Sequence, residues 1–307
     1  MTTARSVGTC FGFELMAAEP VWLLRGGAGT PLEITHQPEP DPVVGSLLAE
    51  WVPSDRNPIE AQLFAGQSEG TFALSVAGGG WYEIDPPGGR ITTPVSTGTL
   101  AGSIRLLGLP LLLCCVARGD TTLHSAAVQV EDHAILLAAP GRHGKTSLGA
   151  AFAREGHRLL SEDLSCLSPN SSRVELTPGP TGLRIRPDMT HLMPLTGYEE
   201  VGLYEDRMVL RPAGDPGDCT PVKVAAIVFL SDFGTGRELV PVPPGDAVRD
   251  LWFLSFHLPN DQDRQRKFQA LVDIAGAVPS WRFTRPRDTT GISDDVDFLI
   301  DKALAKV

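Results

Sequence analysis

The segment Ala139-Pro-Gly-Arg-His-Gly-Lys-Thr146 has residue types and a spacing suited to holding phosphate. It follows the P-loop pattern of four residues and then Gly-Lys-Ser/Thr, with Ala139 in the place of the first Gly. In such a loop successive backbone N–H groups point inward and form an anion nest. The helix that follows adds about half a positive charge at its N-terminus. Lys145 is placed to reach the β- and γ-phosphates of a nucleotide, and Thr146 to offer its hydroxyl to Mg²⁺. Pro140, Gly141, Arg142, His143, Gly144 and Ser147 complete the expected phosphate-binding stretch. Ala139 costs little where its φ is negative, because only a positive φ demands glycine. Downstream lies the acid pair Glu162-Asp163. One acid can hold Mg²⁺ directly or through water, and the other can accept a proton from an attacking hydroxyl. His124 also stands nearby in the pattern, although a lone histidine is by itself more often structural.

These residues need elements to position them. Ala134–Ala138 is wholly apolar, which predicts a strand buried on both faces, and a helix is expected from about Thr146 to Glu155 with Gly156 ending it. His157–Leu160 predicts the next buried strand, ending at Ser161-Glu-Asp163. Carboxyl ends of neighbouring parallel strands lie together, which would bring the acids beside the loop. Leu123–Val130 predicts a strand that His124 begins, and Val224–Leu230 a further buried one. Helices are expected over Asp246–Phe256, Asp261–Ala277 and Asp294–Ala305, with a strand at Trp281–Thr284.

The 307 residues suit two domains. Residues 1–98 predict a β-rich module, with short runs at Phe11–Leu15, Val21–Leu24, Leu32–Thr35, Phe72–Val76 and Trp81–Ile84 between Gly and Pro residues. The best hairpin signal is Pro86-Pro-Gly-Gly89 between Trp81–Asp85 and Arg90–Thr93. Such a module can dock a peptide by strand addition. Thr99–Arg118 predicts a buried joining helix that Pro110 kinks or starts anew, so the second domain runs over 99–307. Gly 32 and Pro 26 form an excess that points to loops and strands rather than a helical bundle.

The net charge of −11, with acids in excess in both the first 120 residues and the rest, argues against a polynucleotide partner. One anion site remains compatible with it. Five cysteines without metal-like spacing predict buried thiols in a reduced compartment. The longest apolar run, Leu106–Ala117, is short for a bilayer, and residues 1–20 lack a signal-peptide pattern. The expectation is a cytoplasmic protein with no membrane partner, and a homo-oligomer is compatible with it.

Three blocks, Leu123-His-Ser-Ala-Ala-Val128, Ala139–Thr146 and Arg154-Glu-Gly-His-Arg-Leu-Leu-Ser-Glu-Asp163, resemble the catalytic core of bacterial HPr kinase/phosphorylase and its HPr-kinase-like relatives. The intervals from His124 to Lys145 and from Lys145 to Asp163 fit that core without a gap. Val278-Pro-Ser-Trp-Arg-Phe283 and Arg285-Pro-Arg-Asp288 resemble a tail of the same subset. The resemblance implies an α/β fold: a P-loop kinase core with a mixed sheet, shared with phosphoenolpyruvate carboxykinase, behind a smaller β-rich domain. It implies ATP and Mg²⁺ as cofactors. Asp163 becomes the general base toward an acceptor hydroxyl and His124 an active-site residue beside it. Lys145 takes the phosphates, and Thr146, Glu162 and Asp163 the metal. Ala139 and Arg142 replace two glycines of the family loop, and Glu162 replaces an Asp. The family's further metal-binding Glu has no clear match: Pro178–Arg186 lies in about the right place, and Asp188, just beyond it, is a weak substitute.

The expected function is an ATP- and Mg²⁺-dependent kinase of a hydroxyl acceptor, foremost a Ser or Thr of a peptide or protein. The family includes enzymes that phosphorylate a serine of a peptide natural-product precursor. The alternatives are a kinase of a free small-molecule hydroxyl in a biosynthetic pathway and a nucleotide-binding regulator without turnover.

Overall fold

The computed structural model describes residues 4–53, 60–170, 173–192, 195–287 and 291–305. Asp288 of the tail segment lies outside the described residues. The chain is mixed α/β and divides into two units. One holds the residues up to Asp120 with Pro216–Cys219 and His257–Arg264; the other holds Thr121–Asp215, Thr220–Phe256 and the chain from Gln265 onward.

The first unit is built on eight strands: β1 (Arg5–Cys10), β2 (Phe13–Ala17), β3 (Thr30–His36), β4 (Leu47–Trp51), β5 (Ala61–Ala65), β6 (Phe72–Val76), β7 (Gly80–Asp85) and β8 (Arg90–Thr93). They form one mixed sheet in the order β1-β2-β3-β8-β7-β6-β5-β4. The expected hairpin is present: β7 and β8 pair antiparallel, with Asp85 opposite Arg90. The turn is fastened by Gly88 N–H donating to Asp85 Oδ1 at 2.8 Å. Val21–Leu24, expected as a strand, is not one; Leu23 has φ +67°, which no strand residue adopts.

Thr99–Arg118 folds as two helices, α1 (Leu100–Leu106) and α2 (Leu109–Arg118). Thr99 Oγ1 caps α1 by accepting from Gly102 N–H at 3.0 Å, and Pro110 lies in the first turn of α2, where its missing N–H costs nothing. The whole stretch Leu100–Arg118, 19 residues of mean hydropathy 2.0, is long and apolar enough to cross a membrane by length and composition. Of that window 61% is buried within the protein, as expected of a core helix pair. All five cysteines are buried, and no disulfide forms among the described residues.

The second unit carries β9 (Thr121–Leu123), β10 (Ser125–Val130), β11 (His133–Ala138), α3 (Lys145–Arg154), β12 (Arg158–Ser161), β13 (Ser165–Asn170), β14 (Arg173–Thr177), β15 (Leu183–Ile185), β16 (Tyr198–Tyr204), β17 (Arg207–Pro212), β18 (Val222–Leu230), β19 (Glu238–Pro241), α4 (Pro244–Leu254), α5 (Asp261–Ala277) from Gln265 onward, β20 (Ser280–Thr284) and α6 (Ile292–Ala303). Its large sheet runs β12-β10-β11-β18-β14-β13-β9, with β20 also beside β18 and β19 beside β20. Only the β11–β18 and β18–β20 pairings are parallel, so the sheet is mixed. A separate antiparallel sheet has the order β15-β17-β16.

Alternation in β11 makes both faces apolar. Ile135 and Leu137 join one core with Leu148 and Phe152 of α3 and Val296 and Leu299 of α6. Leu136 and Ala138 join the other core with Leu251 of α4 and Leu271 and Ile274 of α5. The central strands are thus clamped between two helical layers, and the edge where β11 ends is held rigidly. Truncating Leu137 to Ala, at a side chain with no solvent exposure, is expected to lower unfolding free energy by about 2–5 kcal/mol. Urea denaturation of the full chain measures it.

Candidate active site

Strand direction decides which residues meet. β10 lies between β11 and β12 and runs antiparallel to both, with Ser125 opposite Ala138 and Ala127 opposite Ser161. The start of β10 and the ends of β11 and β12 therefore share one edge. His124 precedes β10, Ala139 follows β11, and Glu162-Asp163 follow β12. The acids and the loop do not come from adjacent parallel strands, as expected, but from two strands of like direction with an antiparallel one between. The expected strand Leu123–Val130 breaks at His124, whose N–H donates to Leu254 O at 2.7 Å while β9 leaves to pair with β13.

The loop ends at Gly144, which has φ +86° and begins α3 without a side-chain cap. The first-turn N–H groups of α3 are thus not taken by a capping side chain, the arrangement an anion uses. Ala139 is not among the residues with positive φ, so its Cβ is no obstacle. Arg142 does adopt φ +68°, and its side chain is exposed. His143 Nδ1 donates to Gly141 O at 2.9 Å, and its Nε2 faces the exposed Asp232 at 3.3 Å.

Lys145 is buried, and three acceptors surround its ammonium: Ala139 O at 2.7 Å, Pro140 O at 3.1 Å and His124 Nε2 at 2.9 Å. Lysine has no acceptor, so His124 Nε2 accepts and its proton resides on Nδ1. Nδ1 faces Asp163 Oδ1 at 3.4 Å. Burial pushes both the Lys145 ammonium and the His124 imidazole below their ordinary values, partly offset by Asp163. His124 is therefore neutral at neutral pH.

Arg184, which sequence reasoning missed, completes the cluster. Its Nε donates to Glu162 Oε2 at 2.7 Å and its Nη2 to Asp163 Oδ2 at 3.0 Å. Thr146 Oγ1 donates to the other Glu162 oxygen at 2.8 Å. Loss of solvent around the Asp163 carboxyl would raise it, but Arg184, then His124 and Lys145, outweigh this and hold it at about 2. Glu162 foremost, and then Asp163, raise Arg184 above its ordinary value. In sequence Leu183-Arg-Ile185 shows only an Arg alternating with apolar residues, the ordinary pattern of a strand with one polar face, so it carries no distinct signal. Asp188, weighed as a metal ligand, is instead exposed in the 3-10 turn Pro187–Leu192.

The acid pair fits a directly bound metal poorly, because all four carboxylate oxygens already face a donor. Thr146, at the first turn beside the loop, does fit a cation that arrives with phosphates. At the same edge, past the ends of β18 and β20, lie Phe233, 38% exposed, and Arg285, whose guanidinium is 5.1 Å from the Phe233 ring centre. A Cβ on Gly144 would collide with that guanidinium.

No family model and no curated protein matches the chain. Among solved structures, the HPr(Ser) kinase/phosphatase from Coxiella burnetii is similar over 60% of this chain and 91% of that chain, at 10% identity and a TM-score of 0.32.

Two outcomes follow from this geometry. Gly144→Ala is expected to lose about 1–2 kcal/mol from the left-handed backbone alone, read by thermal or urea unfolding. The depressed Asp163 carboxyl stabilises the fold above its ordinary value of 3.8 and ceases to as pH falls toward about 2. The stability gap between the wild type and Asp163→Asn should be full near neutrality and shrink across that window.

Proposed function

We propose that the protein is an ATP-dependent kinase that transfers the γ-phosphoryl group to a hydroxyl, with a Ser or Thr of a peptide or protein as the leading acceptor class. The observation that carries this reading is the chain Lys145–His124–Asp163, set beside the uncapped start of α3. In this reading the loop Ala139–Gly144 and the first turn of α3 take the phosphates, as the pattern of a P-loop kinase core would have it. Lys145 exchanges a carbonyl partner for a phosphate oxygen, and its burial makes that charge count for more. Mg²⁺ would enter with the nucleotide, Thr146 being the residue to hold it, and would neutralise phosphate charge.

Asp163 orients the acceptor hydroxyl and receives its proton. The side chain keeps 44% of its surface open, so an acceptor can reach it. Phosphoryl transfer passes through a loose transition state, in which little proton abstraction is needed before the bond to phosphorus breaks. Positioning then matters more than basicity. The neutral His124 imidazole, donating from Nδ1, holds the carboxylate in place and keeps Lys145 aligned.

One observation favours a second reading, a nucleotide-binding regulator without turnover. Asp163 is hydrogen-bonded by Arg184 and held at about 2, which weakens it as a base. Product analysis by mass spectrometry separates the two, using Mg²⁺-ATP with panels of Ser/Thr peptides and hydroxylated metabolites. Lys145→Ala and Asp163→Asn are each expected to slow phosphoryl transfer by at least about a hundred-fold, while Asp163→Asn leaves ATP affinity nearly unchanged. Undiminished transfer in Asp163→Asn would sink the general-base role, and ATP binding without product across both panels would favour the regulator.

A further inference from the structure

The acid pair is already neutralised from within the protein. Glu162 is almost fully buried, and its two carboxylate oxygens accept from Thr146 and Arg184. Asp163 gives Oδ2 to Arg184 and turns Oδ1 toward His124. Two carboxylates stand beside two cations, the Lys145 ammonium and the Arg184 guanidinium, with His124 neutral and accepting from Lys145. The charges of the cluster therefore sum to zero.

We propose that Arg184 is a built-in cation of this site, occupying the place between Glu162 and Asp163 that a divalent metal would otherwise take, so that the nucleotide-free protein holds no divalent cation at the pair. The guanidinium is suited to this. Its planar fork spans two carboxylates at once, and it carries no proton it can lose at working pH. It is also anchored, because Leu183 and Ile185 on either side are buried in the core while Arg184 projects to the acids. A divalent ion entering the pair would add two charges to a balanced cluster whose Glu162 carboxylate is buried. It would either crowd the guanidinium or force it away from its anionic partners, Glu162 and Asp163.

The inference rests on the kinase reading only for its catalytic meaning. There, Arg184 is a positioning residue that acts through Asp163, and any metal is confined to the loop side, at Thr146 and the phosphates. It also names what departs from the expectation that Glu162 and Asp163 ligate Mg²⁺.

The test uses the full chain without nucleotide, and Mn²⁺ as the probe, followed by electron paramagnetic resonance of free Mn²⁺. Wild type is expected to show no saturable site at the pair. Arg184→Ala and the isosteric Arg184→Met are expected to gain one, tighter by at least about ten-fold because a neighbouring positive charge is gone. Adding Glu162→Gln to either should abolish the gain. Equal Mn²⁺ affinity in wild type and Arg184→Ala, whether tight or absent in both, overturns the proposal. Should the Arg184 variants not fold, melting of wild type and Glu162→Gln with and without Mn²⁺ decides. A Mn²⁺-induced rise in wild type that Glu162→Gln removes overturns it, and no rise in wild type supports it. Neither measurement reads turnover, so failure of the kinase reading and failure of this inference are told apart.

Discussion

Two adjacent carboxylates, one of them buried, repel each other, and cations must meet them for both to stay ionised. Glu162 and Asp163 impose that demand, and the rest of the site answers it. Arg184 bridges the pair, Lys145 adds charge across His124, and Thr146 donates to the buried oxygen of Glu162. The cluster draws on four chain segments: β15, the start of α3, the break before β10 and the turn after β12. A shift of any one would leave a charge buried without its partner, which is more costly than never burying the group at all. The acids thus act as the pin that fixes the relative placement of four chain segments.

The placement is possible because of how β10 runs. A strand antiparallel to both neighbours turns its own start toward the ends of the other two. Three separate segments then deliver side chains to one edge with connections of only a few residues. The apolar alternation of β11, filled on both faces by helices, keeps that edge still. A rigid edge under a charged cluster is what positioning chemistry requires, since the cost of orienting the groups has been met during folding.

Much of this was legible in the sequence because it is local. The loop, the helix α3, the apolar runs Ala134–Ala138 of β11 and Val224–Leu230 of β18, and the Pro86–Gly89 hairpin all announce themselves through spacing, apolar runs and turn residues. Asp261–Ala277 is a helix over the whole range expected. What escaped was non-local or weakly patterned. β1, β4 and β5 are short strands with little alternation, and the strands from β13 to β17 lie in polar, Pro-rich sequence. The antiparallel direction of β10 depends on pairings that no single segment encodes. Arg184 escaped for the same reason. Its neighbours in sequence are apolar, and its meaning appears only when β15 is laid beside α3 and the acids after β12. His124 stood out as a residue, yet its role needed the tautomer that Lys145 imposes on it.

A carboxylate held near 2 is a poor base in solution, and it is tempting to read the Arg184 clamp as incompatible with catalysis. The physics of phosphoryl transfer argues otherwise. When bond breaking to the leaving group runs ahead of bond making, the attacking hydroxyl becomes acidic only late, and the proton then leaves to almost any well-placed acceptor. What must be right from the start is the line of approach. A carboxylate gripped by Arg184 on one oxygen and faced by His124 on the other has little freedom, so it offers the incoming hydroxyl one direction rather than many. The clamp that lowers its basicity is the same one that supplies its orientation, and for this class of reaction orientation carries the larger share of the barrier.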